Sequence, residues 1–223
     1  EALNACSGYS DSAVLAKVSA AVTEVLKGSG RYERDGTVFS SLPSKLVIRD
    51  ILSYIVSEGD LILDFGGGLG GTFINHRDIL PIDVQYVVVE QPMFVARGLE
   101  IAKMFALPIT FLDSITKLRS SPRIVILSSV LQYLPDPLGV VSSVIALTPE
   151  YIIIDRTIFA DDAFWRVQVN KNYYDTVVGY PCRGVSFSTL MELCIDYEVA
   201  KQWMNHFDAR SPRHFGILLK RNP

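Results

Sequence analysis

The sequence has little of what marks several large function classes. Its three cysteines, Cys6, Cys182 and Cys194, are odd in number, widely spaced and free of any CxxC or His-linked pattern. That argues against a disulfide scaffold and favours free thiols in a reducing compartment, so a cytoplasmic location is expected. Histidine is scarcer still in relation to function: His76, His206 and His214 form no set with metal-ligand spacing and no Ser-His-Asp arrangement, and no metal is expected. Charge of one sign is lacking as well. With a formal net charge of -3 and no Lys/Arg stripe, nothing is there to neutralise a run of phosphates, and nucleic acid is not an expected partner. Apolar runs such as "YVVV" and "YIIID" are far too short to span a bilayer, and no signal peptide is visible. Because the chain starts at Glu1 rather than Met, missing native N-terminal residues are left open. Internal repeats and low-complexity tracts are absent too.

What is present is a core-forming composition: 223 residues, 49% hydrophobic and 20% charged, suit one main globular domain. Residues 10–28, "SDSAVLAKVSAAVTEVLKG", carry apolar side chains at helical spacing between a Ser/Asp start and Gly28. "GSGRYERDGTVFSSLPS" reads as a loop, and "PSKLVIRDILSYIVS", residues 43–57, as a second helix. With no strand alternating with them, residues 1–57 read as a helical N-terminal extension or lid, and residues 58–223 as the main domain. From residue 61 the pattern changes to short apolar strands, "LILDF", "YVVVE", "ITFLD", "RIVILSS" and "YIIID", alternating with turn-rich or amphipathic segments. That alternation predicts an α/β fold, a doubly wound and mostly parallel sheet covered on both faces. "YEVAKQWM" and "HFGILLKR", joined by the polar turn "NHFDARSPR", read as a C-terminal antiparallel pair, giving seven strands in all. The stretch between residue 156 and that pair is long enough for a substrate-facing insertion followed by a helix.

The densest signal is "LILDFGGGLGG", residues 61–71, with five glycines in six positions. A strand feeding a glycine turn that opens a helix brings backbone N–H groups against a ligand, and a Cβ there would hold that ligand off. Gly66, Gly68 and Gly71 formally satisfy G-x-G-x-x-G, the dinucleotide fingerprint. Asp64 argues against that reading, because a carboxylate beside the loop repels a pyrophosphate and favours a cationic ligand.

With its acid at Asp64, the segment resembles motif I of the class I S-adenosylmethionine-dependent methyltransferases, which have a Rossmann-like fold. The resemblance implies S-adenosyl-L-methionine as cofactor, with Asp64, Gly66, Gly67, Gly68 and Gly70 against its methionine and ribose part. Glu90 ends "YVVVE" where a ribose-binding acid belongs, since a carboxylate accepts hydrogen bonds from both ribose hydroxyls; Gln91 follows it. Asp113 and Ser114 stand where family members contact the adenine amino group, and Ser114 reads equally as a helix cap. "ILSSVLQYLPDP", residues 126–137, resembles motif IV, which makes Ser128, Ser129, Gln132 and Tyr133 candidates for cofactor or acceptor contacts, with Pro135 and Pro137 shaping the loop after them. Acids at the ends of three neighbouring strands then converge on one crevice.

Methyl transfer needs alignment of a nucleophile and, for a hydroxyl, removal of its proton. Asp155 in "IIIDRTIF" is the candidate base or acceptor-orienting group, Arg156 beside it could pair with it or hold an anionic acceptor, and Tyr133 completes the catalytic set; a structural Asp155–Arg156 ion pair is the plainer alternative. His76, in the helix after the loop, could point into the cleft, a surface position on that helix being the plainer alternative, and His206 and His214 flank the tail pair. Trp165, Arg166, Tyr173 and Tyr174 form a cluster suited to stacking on a sugar or to burying a lid. "ERDG", "VLQYLPDP", "IIIDRTIF" and "YPCRGVS" together resemble methyltransferases encoded among bacterial surface-polysaccharide genes, which implies O-methylation of a small or glycan-linked acceptor in polysaccharide biosynthesis. Three rivals stay open: an NAD(P)-dependent oxidoreductase, a non-catalytic S-adenosylmethionine-binding module, and aminopropyl transfer, for which "SSVLQYL" lacks the extra acids a polyamine needs.

Overall fold

The computed structural model describes residues 12–161, 164–170, 178–204 and 214–223. The chain opens with helix α1 (Ser12–Leu26), a short hairpin of β1 (Tyr32–Arg34) and β2 (Thr37–Phe39), and helix α2 (Val47–Ile55). It continues through β3 (Leu61–Phe65), α3 (Gly71–His76), β4 (Gln85–Val89), α4 (Pro92–Phe105), β5 (Ile109–Leu112), β6 (Ile124–Ser128), α5 (Pro137–Ile145) and β7 (Tyr151–Ile158). A second hairpin, β8 (Trp165–Asn170) with β9 (Val178–Arg183), then α6 (Phe187–Leu193), β10 (Tyr197–Met204) and β11 (His214–Arg221) complete it.

Seven strands form one sheet in the order β10-β11-β7-β6-β3-β4-β5. The five from β3 to β7 are mutually parallel, while β11 runs antiparallel to both β7 and β10. The period of two along each strand sorts the apolar residues onto two faces. Ile62, Val88, Ile124, Ile126, Ile153 and Leu218 share a core with residues of α1, α2 and α4. Leu63, Val87, Val125, Leu127, Ile152, Ile154 and Ile217 share the other core with residues of α5 and α6. Both faces are covered, so the strands read as continuous apolar runs rather than alternating ones.

Three local features differ from the sequence reading. Residues 32–39 are a hairpin rather than a loop: Asp35 and Gly36 form a two-residue turn, both with positive φ, of 50° and 75°. An Asp-Gly pair with that backbone matches the twist of the strands it joins. Strand β7 runs three residues beyond Asp155, which therefore lies within the strand and not at its end. The second helix is shorter than expected, starting at Val47 rather than Pro43. The polar turn at 205–213, together with Cys6, Tyr173, Tyr174 and His206, lies outside the described residues.

Chain order reverses beside β3: β4 and β5 build outward on one side, and β6 crosses back to the other. Such a reversal opens a crevice at the carboxyl ends of the strands, because the flanking connections leave in opposite directions.

Candidate functional site

The crevice is a cavity of about 1180 Å³. Its floor is the glycine loop with Asp64, its flank toward β5 carries Glu90, Asp113 and Ser114, and its flank toward β7 carries Ser128, Ser129, Tyr133, Asp155 and Arg156. The sequence reading assembled these residues from separate segments, and one cavity does bring them together. It missed the roof: Tyr32, Glu33, Arg34 and Asp35 of the first hairpin line the same space, as do Asn75 and Trp203.

Within the loop the glycines have different reasons. Gly68 has φ of +59°, and a Cβ there would meet nothing within 4 Å, so its bare Cα faces open space. A Cβ on Gly66 would overlap Val130, and one on Gly67 would lie 2.6 Å from the carboxylate of Asp64. At these two positions the missing side chain makes room for the protein itself. Asp64 accordingly packs beneath Gly67; it is 1% exposed, and its Oδ2 accepts a hydrogen bond from the Tyr86 hydroxyl at 2.8 Å. Burial pushes its pKa up to about 6, with the Tyr86 and Thr72 hydroxyls pulling it back toward the ordinary value. An acid so placed supports the loop from below.

Glu90 faces the loop from the end of β4. Its Oε1 accepts from the Gly68 N–H at 3.3 Å and its Oε2 from the Gln91 N–H at 2.6 Å. Burial raises its pKa, and those two N–H groups oppose the rise. Gln91 caps α4 through its backbone. Asp113 is exposed and pairs with Lys117 at 2.7 Å, which lowers its pKa, while Ser114 accepts from the Thr116 N–H and caps the short turn that follows. The capping role read from the sequence is therefore present, alongside a place on the cavity wall.

Asp155 sits at a β-bulge: β11 pairs Phe215 with Thr157 and Ile217 with Ile154, leaving Asp155 and Arg156 opposite Gly216. Arg156 takes φ of 49° there, and Ser129, just past the end of β6, takes 56°. Strain of this kind persists where the surroundings over-determine the backbone. Asp155 Oδ1 accepts from Trp203 Nε1 at 2.8 Å, and Oδ2 accepts from the Ser128 hydroxyl at 3.2 Å with Arg156 Nε 3.7 Å away. A Cβ on Gly216 would overlap the Trp203 indole, so that glycine is what lets the ring lie across to the acid. Both oxygens of Asp155 are thus engaged, and the ion pair with Arg156 exists as one strand of a wider network. Gln132 is buried with its amide N donating to the Arg156 carbonyl at 2.9 Å, and the Tyr133 hydroxyl donates to Gln168 of β8 at 3.2 Å.

The roof is fixed by a side chain acting as backbone. Asn75 of α3 accepts from the Glu33 N–H at 3.0 Å and donates to the Glu33 carbonyl at 2.8 Å, as a neighbouring strand would. Glu33 itself is 6% exposed; Oε1 accepts from the Gly36 N–H at 2.8 Å, and burial pushes its pKa up to about 7. The Asp35-Gly36 turn was the signal for this hairpin, but three-residue strands leave too little periodicity to read.

Of the two places read for His76, the surface one is corrected: it is buried and lies among the residues lining the cavity. Its Nδ1 lies 2.7 Å from the Thr72 carbonyl, which can only accept, so Nδ1 carries the proton, and burial lowers the pKa of the ring. In the other cluster, Trp165 is exposed with the Arg183 guanidinium 4.8 Å from its ring centre, and Arg166 lies over Phe164. Cys182 and Cys194 are buried free thiols. Among the described residues no group of three or more His, Cys, Asp or Glu is placed to hold a metal, and no helix is long and apolar enough to cross a membrane.

No protein-family profile and no curated protein sequence matches the chain. Solved structures resemble it at low identity. The N-terminal domain of EvdMO1, in the presence of SAH and D-fucose, is 11% identical with a TM-score of 0.53 over 93% of this chain and 97% of that one. The glycopeptide N-methyltransferase MtfA, complexed with (S)-adenosyl-L-methionine, is 12% identical with a TM-score of 0.56 over 78% of this chain and 85% of the other. The 1,6-didemethyltoxoflavin-N1-methyltransferase of Burkholderia thailandensis, with its substrate and S-adenosylhomocysteine bound, is 14% identical with a TM-score of 0.52 over 78% and 76%. The likeness is one of fold: this chain has the Rossmann-like, mostly parallel seven-stranded sheet of these structures.

Proposed function

We propose that the chain is an S-adenosylmethionine-dependent methyltransferase acting on a small or glycan-linked acceptor, by O-methylation in surface-polysaccharide or related biosynthesis. The observation that carries this reading is the cavity at the strand-order reversal, where the Gly68 backbone faces open space with the Glu90 carboxylate beside it. Acid groups around that loop disfavour a diphosphate and suit a nucleoside whose ribose hydroxyls donate to Glu90 and whose remaining charge includes a sulfonium. MtfA and the toxoflavin enzyme, with the same fold, hold this cofactor or its product, and EvdMO1 was solved with a sugar present.

In this reading Glu90 holds the ribose, Asp113 and Ser114 border the adenine, Gly66–Gly68 and Ser128 and Ser129 line the amino-acid part, and Asp64 supports the loop, while Gly70 turns its Cα toward Ile109 and Phe111 in the core. When bound, the cofactor supplies an electrophilic methyl group. The chain's own contribution is alignment and exclusion of water. Asp155 orients rather than deprotonates, because Trp203, Ser128 and Arg156 occupy its oxygens; it fixes the Arg156 and Ser128 side chains on the acceptor wall. Tyr133 presents its ring there, and the N-terminal residues act as a lid through the first hairpin.

Titration calorimetry with S-adenosylmethionine and with NAD⁺ tests the first half. Binding of the former and not the latter is expected; tight binding of NAD⁺ alone overturns the proposal in favour of an oxidoreductase. Release of S-adenosylhomocysteine in the presence of hydroxylated glycosides tests the second half, and binding without turnover on any acceptor would instead fit a non-catalytic module.

A further inference from the structure

Two acids flank the glycine loop from opposite ends. Glu90 reaches Gly68 from β4, and Glu33 Oε2 lies 3.1 Å from where a Cβ on Gly71 would stand, at the loop's last residue. Strand order gives the cavity a direction. From β5 to β4 to β3, its wall passes from Asp113 and Ser114 to Glu90 and then to the loop roofed by Glu33. A nucleoside amino acid laid with its base at β5 and its ribose on Glu90 extends along the loop, between the first hairpin above it and Ser128 and Ser129 beyond it.

We infer that Glu33 receives the α-ammonium group at the amino-acid end of that nucleoside, and that binding displaces a proton from its carboxyl group. The inference rests on the reading of the site as one for S-adenosylmethionine. Its geometry is specific to this hairpin: Asn75 grips the Glu33 backbone from both sides, and the Gly36 N–H holds Oε1, so Oε2 is presented at a fixed point. The only hydrogen bond to the carboxylate within the described residues is that one from Gly36.

The groups that bear on Glu33 are few. Desolvation pushes its pKa up to about 7, the Gly36 N–H and Arg156, reaching over from β7, oppose the rise, and Asp35 on its own turn adds to it. Tyr32 and Arg34 are its neighbours in β1, Lys17 of α1 packs on Gly36, and Asn75 faces it from α3 without charge. A buried acid whose pKa is raised by desolvation is completed by a cation, which favours its ionised form. The carboxylate of the same zwitterionic end would lie on the side of Arg156.

The test is calorimetry of S-adenosylhomocysteine binding at pH 7.0 in buffers of different ionisation enthalpy, with adenosine as the ligand lacking the amino-acid end. With a carboxyl pKa near 7, wild type is expected to release about half a proton more with S-adenosylhomocysteine than with adenosine. E33Q, which keeps an acceptor for the Gly36 N–H, should lose that difference and bind S-adenosylhomocysteine roughly tenfold or more weakly, while adenosine affinity stays the same. Equal proton release for the two ligands in wild type overturns the inference without needing the variant to fold. So does an E33Q protein that binds S-adenosylhomocysteine as wild type does. Absence of binding by either protein to either ligand refutes the S-adenosylmethionine reading itself, and E90A losing both ligands while wild type binds them separates that failure from this one.

Discussion

Glu33→Gln should change the pH dependence of stability in the ligand-free protein, and the size follows from burial. The carboxyl group is moved from an ordinary 4.5 to about 7. A group whose pKa is higher when folded binds more protons in the folded than in the unfolded chain between those two values, so stability falls as pH rises through that window. Below pH 4.5 the contribution is fully present, and above about 7 it is gone. At 1.36 kcal/mol per tenfold, the loss across the window is roughly 3 kcal/mol. The glutamine variant carries no such titration, whereas every other group titrates in both proteins and cancels in the difference. Urea unfolding of both proteins from pH 4 to pH 8.5 measures it: relative to wild type, the variant should gain roughly 3 kcal/mol on going from the acid to the alkaline end. A difference that stays flat would mean that Glu33 ionises freely in the folded state, and the account of its burial would be wrong. A gain in stability on removing a buried acid is also the pattern of a residue kept for binding at a cost to the fold.

Other substitutions test other parts of the site. Tyr86→Phe removes the hydroxyl that donates to buried Asp64; a loss of about 1–3 kcal/mol is expected in urea unfolding, larger at pH 8 than at pH 5 because only the ionised acid needs the donor. Gly67→Ala puts a methyl group against the Asp64 carboxylate and should cost about 1–3 kcal/mol while weakening S-adenosylhomocysteine binding, with unchanged affinity counting against the loop's role. Asn75→Ala takes both side-chain bonds from the Glu33 backbone; the Glu33 amide should then exchange with deuterium at least tenfold faster, and unaltered protection would show that the hairpin is held by something else. Trp203→Phe leaves Asp155 Oδ1 without its donor, and is expected to lower turnover with S-adenosylhomocysteine affinity kept, since the network is assigned to acceptor alignment.

The sheet was legible in the sequence because its signals are local. Runs such as "YIIID" report burial on two faces, "LILDFGGGLGG" reports a strand and a loop that no side chain may crowd, and Glu90, Asp113 and Ser128 follow their strands closely enough to be placed by counting. Even so, the cause assigned to the glycines was only partly theirs: Gly68 faces the cavity, whereas Gly66 and Gly67 yield space to Val130 and Asp64.

The rest depended on partners far along the chain. Asn75 meets Glu33 across 42 residues, and Trp203 meets Asp155 across 48. His76 is buried although its position on a short helix reads as a surface one, because α3 packs against α1 and β1. Periodicity and turn chemistry act through neighbouring residues, so the sequence by itself determined the seven strands of the large sheet and their two buried faces. Which hairpin roofs the cavity, and which buried acid has its pKa raised under it, was decided only by tertiary packing, since desolvation and paired hydrogen bonds exist only once distant segments have met.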